Sequence, residues 1–179
     1  MIRRVLLSSG GVLLLVGVGV VVAAAVAGGF ALGGVSPFVP TVRCDEVVLH
    51  FKSGSDIEGN RVVLDAISAP ARDLSRAVRD PASAPFQYWL KAGIAIRASR
   101  VPVTITVPKP WRDRVRIVWG APGTPAASVR FARCPSSVET WNGYSGGFLL
   151  RAKSACVPLI FAVADRRATL RFGVGRTCR

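Results

Sequence analysis

Catalytic side chains are scarce in this sequence. It holds a single histidine, His50, and 10 carboxylates against 24 lysines and arginines. A Ser-His-Asp or Cys-His relay would have to use His50. That residue falls in a strand-like stretch beside Val48 and Lys52, opposite the apolar row Val47, Leu49 and Phe51. Asp56 and Glu58 share one turn, an arrangement more usual for solvated charges than for glycoside hydrolysis or calcium binding. The four cysteines, Cys44, Cys134, Cys156 and Cys178, include no Cys-x-x-Cys pair, so with one histidine a zinc site is not expected. These scarcities predict a chain with no catalytic residues, no metal and no cofactor. A cell-wall-acting enzyme is the residual alternative.

Charge is also missing between Arg4 and Arg43. Within that gap Val5–Ala27 is almost wholly apolar. As a helix it would measure roughly 34 Å, enough for a hydrocarbon core of about 30 Å. The flanking Arg3 and Arg4 would stay in the cytoplasm. The organisation predicted is a cytoplasmic stub (1–4), a transmembrane helix or uncleaved signal anchor (5–27), a glycine- and proline-containing tether (28–43) and an exported domain (44–179). The competing reading is a signal peptide cut at Ala25-Val26-Ala27, which would secrete the domain. Either way the domain is expected outside the cell, and the leading expectation is a single-pass cell-membrane protein.

What is abundant is arginine. The net charge is +14, and the only lysines are Lys52, Lys91, Lys109 and Lys153. Setting aside Arg3 and Arg4 leaves 22 basic and 10 acidic groups, or +12, for the exported part. Such a domain is drawn to anionic cell-wall polymers or lipid headgroups. Nucleic acid, the usual partner of such charge, is on the wrong side of the membrane. Arg97, Arg116, Arg130 and Arg171 each follow an apolar strand position, and would form a basic face if their strands are neighbours. An even cysteine count in an exported domain predicts two disulfides. Three pairings are open; Cys134–Cys156 with Cys44–Cys178 is favoured, to pin a long loop and to tie the first strand to the tail.

After the tether, apolar residues alternate with polar ones through short segments broken by turn residues every eight to twelve positions or so. Val101–Val107 is the clearest strand, and the inward rows Val103, Ile105, Val107, Ile117, Val129, Phe131, Leu159, Phe161, Leu170 and Phe172 predict the core. Ala71–Arg79 is the one plausible soluble helix. The pattern predicts a mainly β chain, an antiparallel two-sheet sandwich of immunoglobulin-like architecture. Pro135–Gly147 reads as a long polar loop. In it Trp141 and Tyr144 would stack on a sugar face, Asn142 would supply a hydrogen bond, and Trp111 would join them.

The runs Val129–Pro135, Tyr144–Arg151, Ala155–Leu159 and Arg171–Gly175 resemble segments of uncharacterised, membrane-anchored actinobacterial proteins with an exported β-sandwich domain. The resemblance covers roughly the last hundred residues and carries no activity with it. The chain is therefore expected to be a binding or structural module at the cell envelope. Its expected partners are membrane lipid through the N-terminal helix and an anionic cell-wall polymer, a glycan or another envelope protein.

Overall fold

The computed structural model describes residues 38–71, 73–98, 102–135 and 140–178. The predicted membrane span at 5–27 and its cytoplasmic stub lie outside the described residues. Among the described residues no helix is long and apolar enough to cross a membrane.

The described chain is mainly β, because apolar residues recur at every second position and few helical rows exist to compete. The strands are β1 (Thr41–Val42), β2 (Leu49–Phe51), β3 (Asn60–Val63), β4 (Ile67–Pro70), β5 (Val78–Arg79), β6 (Tyr88–Lys91), β7 (Ile94–Arg97), β8 (Val103–Thr106), β9 (Val115–Trp119), β10 (Ser128–Phe131), β11 (Trp141–Tyr144), β12 (Gly146–Leu150), β13 (Ala155–Val163) and β14 (Arg166–Val174). They make three sheets, ordered β1-β10-β8-β13-β14, β2-β11-β7-β4-β3 and β5-β6-β12-β9. Pairing is antiparallel apart from β1 on β10.

The second and third sheets share two strands that run on from one to the other. Lys91 lies opposite Gly147 and Ile94 opposite Tyr144, so no residue slips between β6-β7 and β12-β11. The Ala92 amide donates to the Gly146 carbonyl across the join. At this join the backbones crowd. A Cβ on Gly146 would collide with the Val118 carbonyl, and one on Gly147 with the Leu90 carbonyl. Neither partner is a side chain that could swing aside, which is why glycine occupies both positions.

The inner face of the first sheet packs against the other two through aromatic rings. Phe131 of β10 lies 5.0 Å from Tyr144 of β11 and 6.4 Å from Trp119 of β9. Phe172 of β14 lies 5.6 Å from Phe148 of β12. Burying one such side chain contributes roughly 1.5–3 kcal/mol. Of the ten predicted core residues, nine are buried. The exception is Leu170, which is half-buried on the edge strand β14.

Several expectations are corrected. The stretch Ala71–Arg79 forms no helix; Leu74 instead bridges to Val174 and β5 joins the third sheet. With Pro70 before it and Pro81 after it, the segment is too short for its few apolar residues to stabilise a helix. The end of the predicted tether is not a linker either. Thr41 and Val42 pair with Arg130 and Phe131, and Val42 is buried. The disulfides join Cys44 to Cys134 and Cys156 to Cys178, not the favoured pairing. Cys156 sits on β13 opposite Gly173 of β14, so the tail just beyond that hairpin is its neighbour. Cys134 follows β10, beside which β1 delivers Cys44.

Candidate functional site

The aromatic residues expected on a sugar-binding loop are inside the protein. Trp141, Asn142 and Tyr144 are each 3% exposed or less and form β11, between β2 and β7. The segment has too many polar and glycine residues to read as a strand, yet all four of its residues are covered. Tyr144 points at Phe131, so strand alternation sends Gly143 and Trp141 to the opposite face of the second sheet. There the loop after β2 closes over Trp141. Gly54 lies so close to the indole that a Cβ would come within 2.7 Å of it. The Ser68 hydroxyl donates to the Gly54 carbonyl at 2.5 Å, and the Asn60 amide donates to Ser68 at 3.2 Å, pinning the loop. The Arg97 guanidinium covers the ring from another side, 5.2 Å from its centroid. A sugar could not stack on Trp141 without opening this loop.

Asn142 is likewise occupied. Its amide nitrogen donates to the Cys134 carbonyl at 2.9 Å, which turns its oxygen toward His50 Nδ1 at 3.0 Å. Since that oxygen can only accept, the His50 Nδ1 carries the proton and donates. His50 thus ties β2 to the segment after β10, and it lies on the Asn142 face rather than opposite the core row as expected. Leu49 and Phe51 take the other face, opposite Gly143 and Trp141. They line an open, largely apolar hollow of about 330 Å³ with Ile57 and Pro70.

Burial first, and the Glu46 carboxylate second, push the Tyr144 phenol up to about 12. The sign follows from linkage. A folded pKa above the unfolded value of about 10 favours the neutral phenol. Its contribution is full below pH 10 and is lost as pH rises toward 12, amounting to roughly 2–3 kcal/mol. Urea melts between pH 9 and about 12 should show this loss in the native chain and not in Tyr144→Phe. Equal loss in both would contradict it.

The four arginines expected to share a face are dispersed. Arg97 belongs to the second sheet, Arg116 to the third, and Arg130 and Arg171 to the first. Arg130 and Arg171 lie three strand spacings apart, about 14 Å before any offset along the strands. The cross-strand row of Arg130 leads through Thr104 and Ala162 to Arg167 instead.

Arg116 belongs to a different basic assembly, built around the turn between β8 and β9. Prolines at 108 and 110 flank Lys109 and start a three-residue 3-10 turn, Lys109–Trp111. Arg116 donates to the carbonyls of Arg112 and Val115, and its guanidinium lies 4.7 Å from the centroid of the Phe86 ring. Arg151 approaches the same ring at 5.5 Å. Its amide donates to the Arg114 carbonyl, and the Arg114 guanidinium lies 5.7 Å from the centroid of the Trp111 ring. Trp111, Arg114, Arg151 and Arg176 line a hollow of about 410 Å³. On the other flank Arg112 and Arg116 line one of about 440 Å³ with Phe38 and Val39. Among the described residues the one ion pair here is Arg114 to its neighbour Asp113, at 3.9 Å and solvent-exposed. Guanidinium groups set on aromatic rings and backbone carbonyls keep their outward N–H donors free, which suits them to phosphate or carboxylate oxygens. Of the sequence-derived candidates, Trp111 and Arg116 come together here. Arg112, Arg114, Arg151, Arg176 and Phe86 were missed, although the dense basic run 109–116 was a visible signal. No protein-family model matches the chain, and no curated protein does either.

Proposed function

We propose that this chain is a single-pass membrane protein whose exported domain is a non-enzymatic binding module at the cell envelope. The observation that carries the reading is the closure of all four cysteines into two disulfides. Such bonds persist in oxidising compartments, not in the cytosol. The uncharged apolar run Val5–Ala27, with Arg3 and Arg4 before it, supplies the anchor of this reading. The domain is read as a two-layer sandwich of immunoglobulin-like architecture, the first sheet being one layer and the continuous second and third sheets the other. Aromatic packing of Phe131 on Tyr144 and of Phe172 on Phe148 supports that reading. The likeness to membrane-anchored actinobacterial proteins belongs to the same proposal. The ligand surface within it is the basic aromatic assembly around Trp111, suited to anionic partners.

Thiol trapping in intact cells, without reductant, tests the compartment. Blocked cysteines are expected, together with a C-terminal domain degraded by protease added to spheroplasts. Four free thiols, or a domain shielded from that protease, would overturn the proposal. Mass spectrometry of the N-terminus separates anchoring from secretion, since cleavage after Ala27 would leave Gly28 first.

A further inference from the structure

We infer that the end of the domain carrying Phe38, Val39, Arg112 and Arg116 lies flat on the bilayer, its arginines on anionic lipid headgroups and Phe38 in the interface. The inference rests on the membrane-anchored reading above and adds an orientation and a lipid class to it.

Three observations converge on this end. The first is apolar exposure at the place where the chain comes from the predicted span. Phe38 is 75% exposed and Val39 40%, although the chain leads from them directly into a buried strand position, Val42. The second is reach. Eleven peptide steps separate Ala27 from Phe38, at most about 38 Å even if fully extended. This end therefore cannot stray far from the lipid, and docking it loses little further freedom. The third is charge. Arg112 and Arg116 share a hollow with Phe38 and Val39, and Arg116 continues through Phe86 to Arg151, Arg114 and Trp111.

The parts suit a headgroup layer. Arg112 Nε donates to the Val107 carbonyl at 3.2 Å, and Arg116 is held by two carbonyls, so both guanidinium groups are positioned before any lipid arrives. Each offers its remaining N–H groups to phosphate oxygens. An aromatic side chain beside them matches the level at which aromatic rings settle in membranes. A soluble anionic polymer would use the arginines but would have no use for Phe38. That distinguishes the two partners.

The test uses the full chain, reconstituted into vesicles of phosphatidylcholine alone or with about 30 mol% phosphatidylglycerol, a content that gives the surface its negative potential. A Phe38→Trp variant reports depth through the quenching by brominated acyl chains that it adds to that of the unsubstituted chain, whose four tryptophans set the baseline. Val62→Trp, at an exposed position on the second sheet, is the control for mere tethering. The expected result is quenching at position 38 that grows with phosphatidylglycerol, exceeds that at position 62, and falls as salt is raised. Adding Arg112→Gln and Arg116→Gln should lower the docked-to-undocked ratio about five-fold for each arginine. Quenching equal at 38 and 62, or unchanged by phosphatidylglycerol, would overturn the docking. Binding of soluble polyglycerol phosphate lost in the glutamine variants, with no lipid-dependent quenching at 38, would assign the arginines to a polymer and also overturn it. Alkaline carbonate extraction of the same chain reads the anchor separately. A chain released by carbonate defeats the anchored reading, whereas a retained chain without quenching defeats only the docking.

Discussion

Replacing Cys44 and Cys134 together by serine is expected to cost about 4–5 kcal/mol, against about 3 kcal/mol for the Cys156 and Cys178 pair. The difference follows from chain entropy. The first bridge closes a loop with a sequence separation of 90 and the second one of 22. In an unfolded chain the longer loop removes more conformations, so its loss releases more entropy. Native context points the same way. The β13–β14 hairpin already holds the region around Cys156 and Cys178 through nine paired positions. The segment at Cys44 has fewer supports: two pairs on β1 and the three of β2. The expected order appears as urea midpoints at unchanged slope. Equal losses, or a larger loss for the shorter loop, would show that native-state strain dominates. Peptide mapping without reduction should first recover the two cross-links as Cys44 with Cys134 and Cys156 with Cys178.

Phe131→Ala should be the most damaging single core substitution, about 3–5 kcal/mol. Phe131 is fully buried and touches rings from both other sheets, Trp119 and Tyr144. Removing it loses the transfer free energy of the phenyl group and leaves a cavity where three sheets meet. Two edge or tilted ring contacts are lost as well, each worth about 0.5–1.5 kcal/mol beyond area. The walls cannot easily collapse, because β10 is tied on both sides, to β1 and to β8. Leu170→Ala provides the contrast. Leu170 lies half-buried on an edge strand that can shift, and about 1 kcal/mol is expected there. A loss at Phe131 no larger than at Leu170 would mean that the aromatic contacts between sheets do not hold the layers. Against a typical domain stability of about 5–15 kcal/mol, the Phe131 change alone removes a large fraction.

Much of the β architecture was legible because period-two alternation is a local property. Val103 and Ile105, Val115 and Ile117, and Leu159 and Phe161 each lie two apart and are buried as the pattern requires. Trp141–Tyr144 was misread for the same reason. Its polarity and glycine suit a loop, and its burial comes from β2, β7 and the loop after β2, all distant in sequence. Gly143 is part of the answer. A Cβ there would come within 2.7 Å of the Phe51 ring, so glycine marks close packing rather than a turn. The basic site follows the same logic. The run 109–116 announces charge, but Phe86 and Arg151 reach it only through the pairing of β12 with β6 and β9, and Arg176 only from beyond the end of β14. Arg130 and Arg171 are expected neighbours by parity and are separated by β8 and β13.

Composition and periodicity by themselves determined the β character, nine of the ten core residues named and the closure of the cysteines in pairs. Those are properties of residue types and near neighbours. The disulfide partners, the burial of Trp141, Asn142 and Tyr144, and the gathering of arginines around Phe86 and Trp111 were decided only by tertiary structure. Each depends on strand order and register, and these arise from packing between segments tens of residues apart, a long-range term that no local pattern encodes.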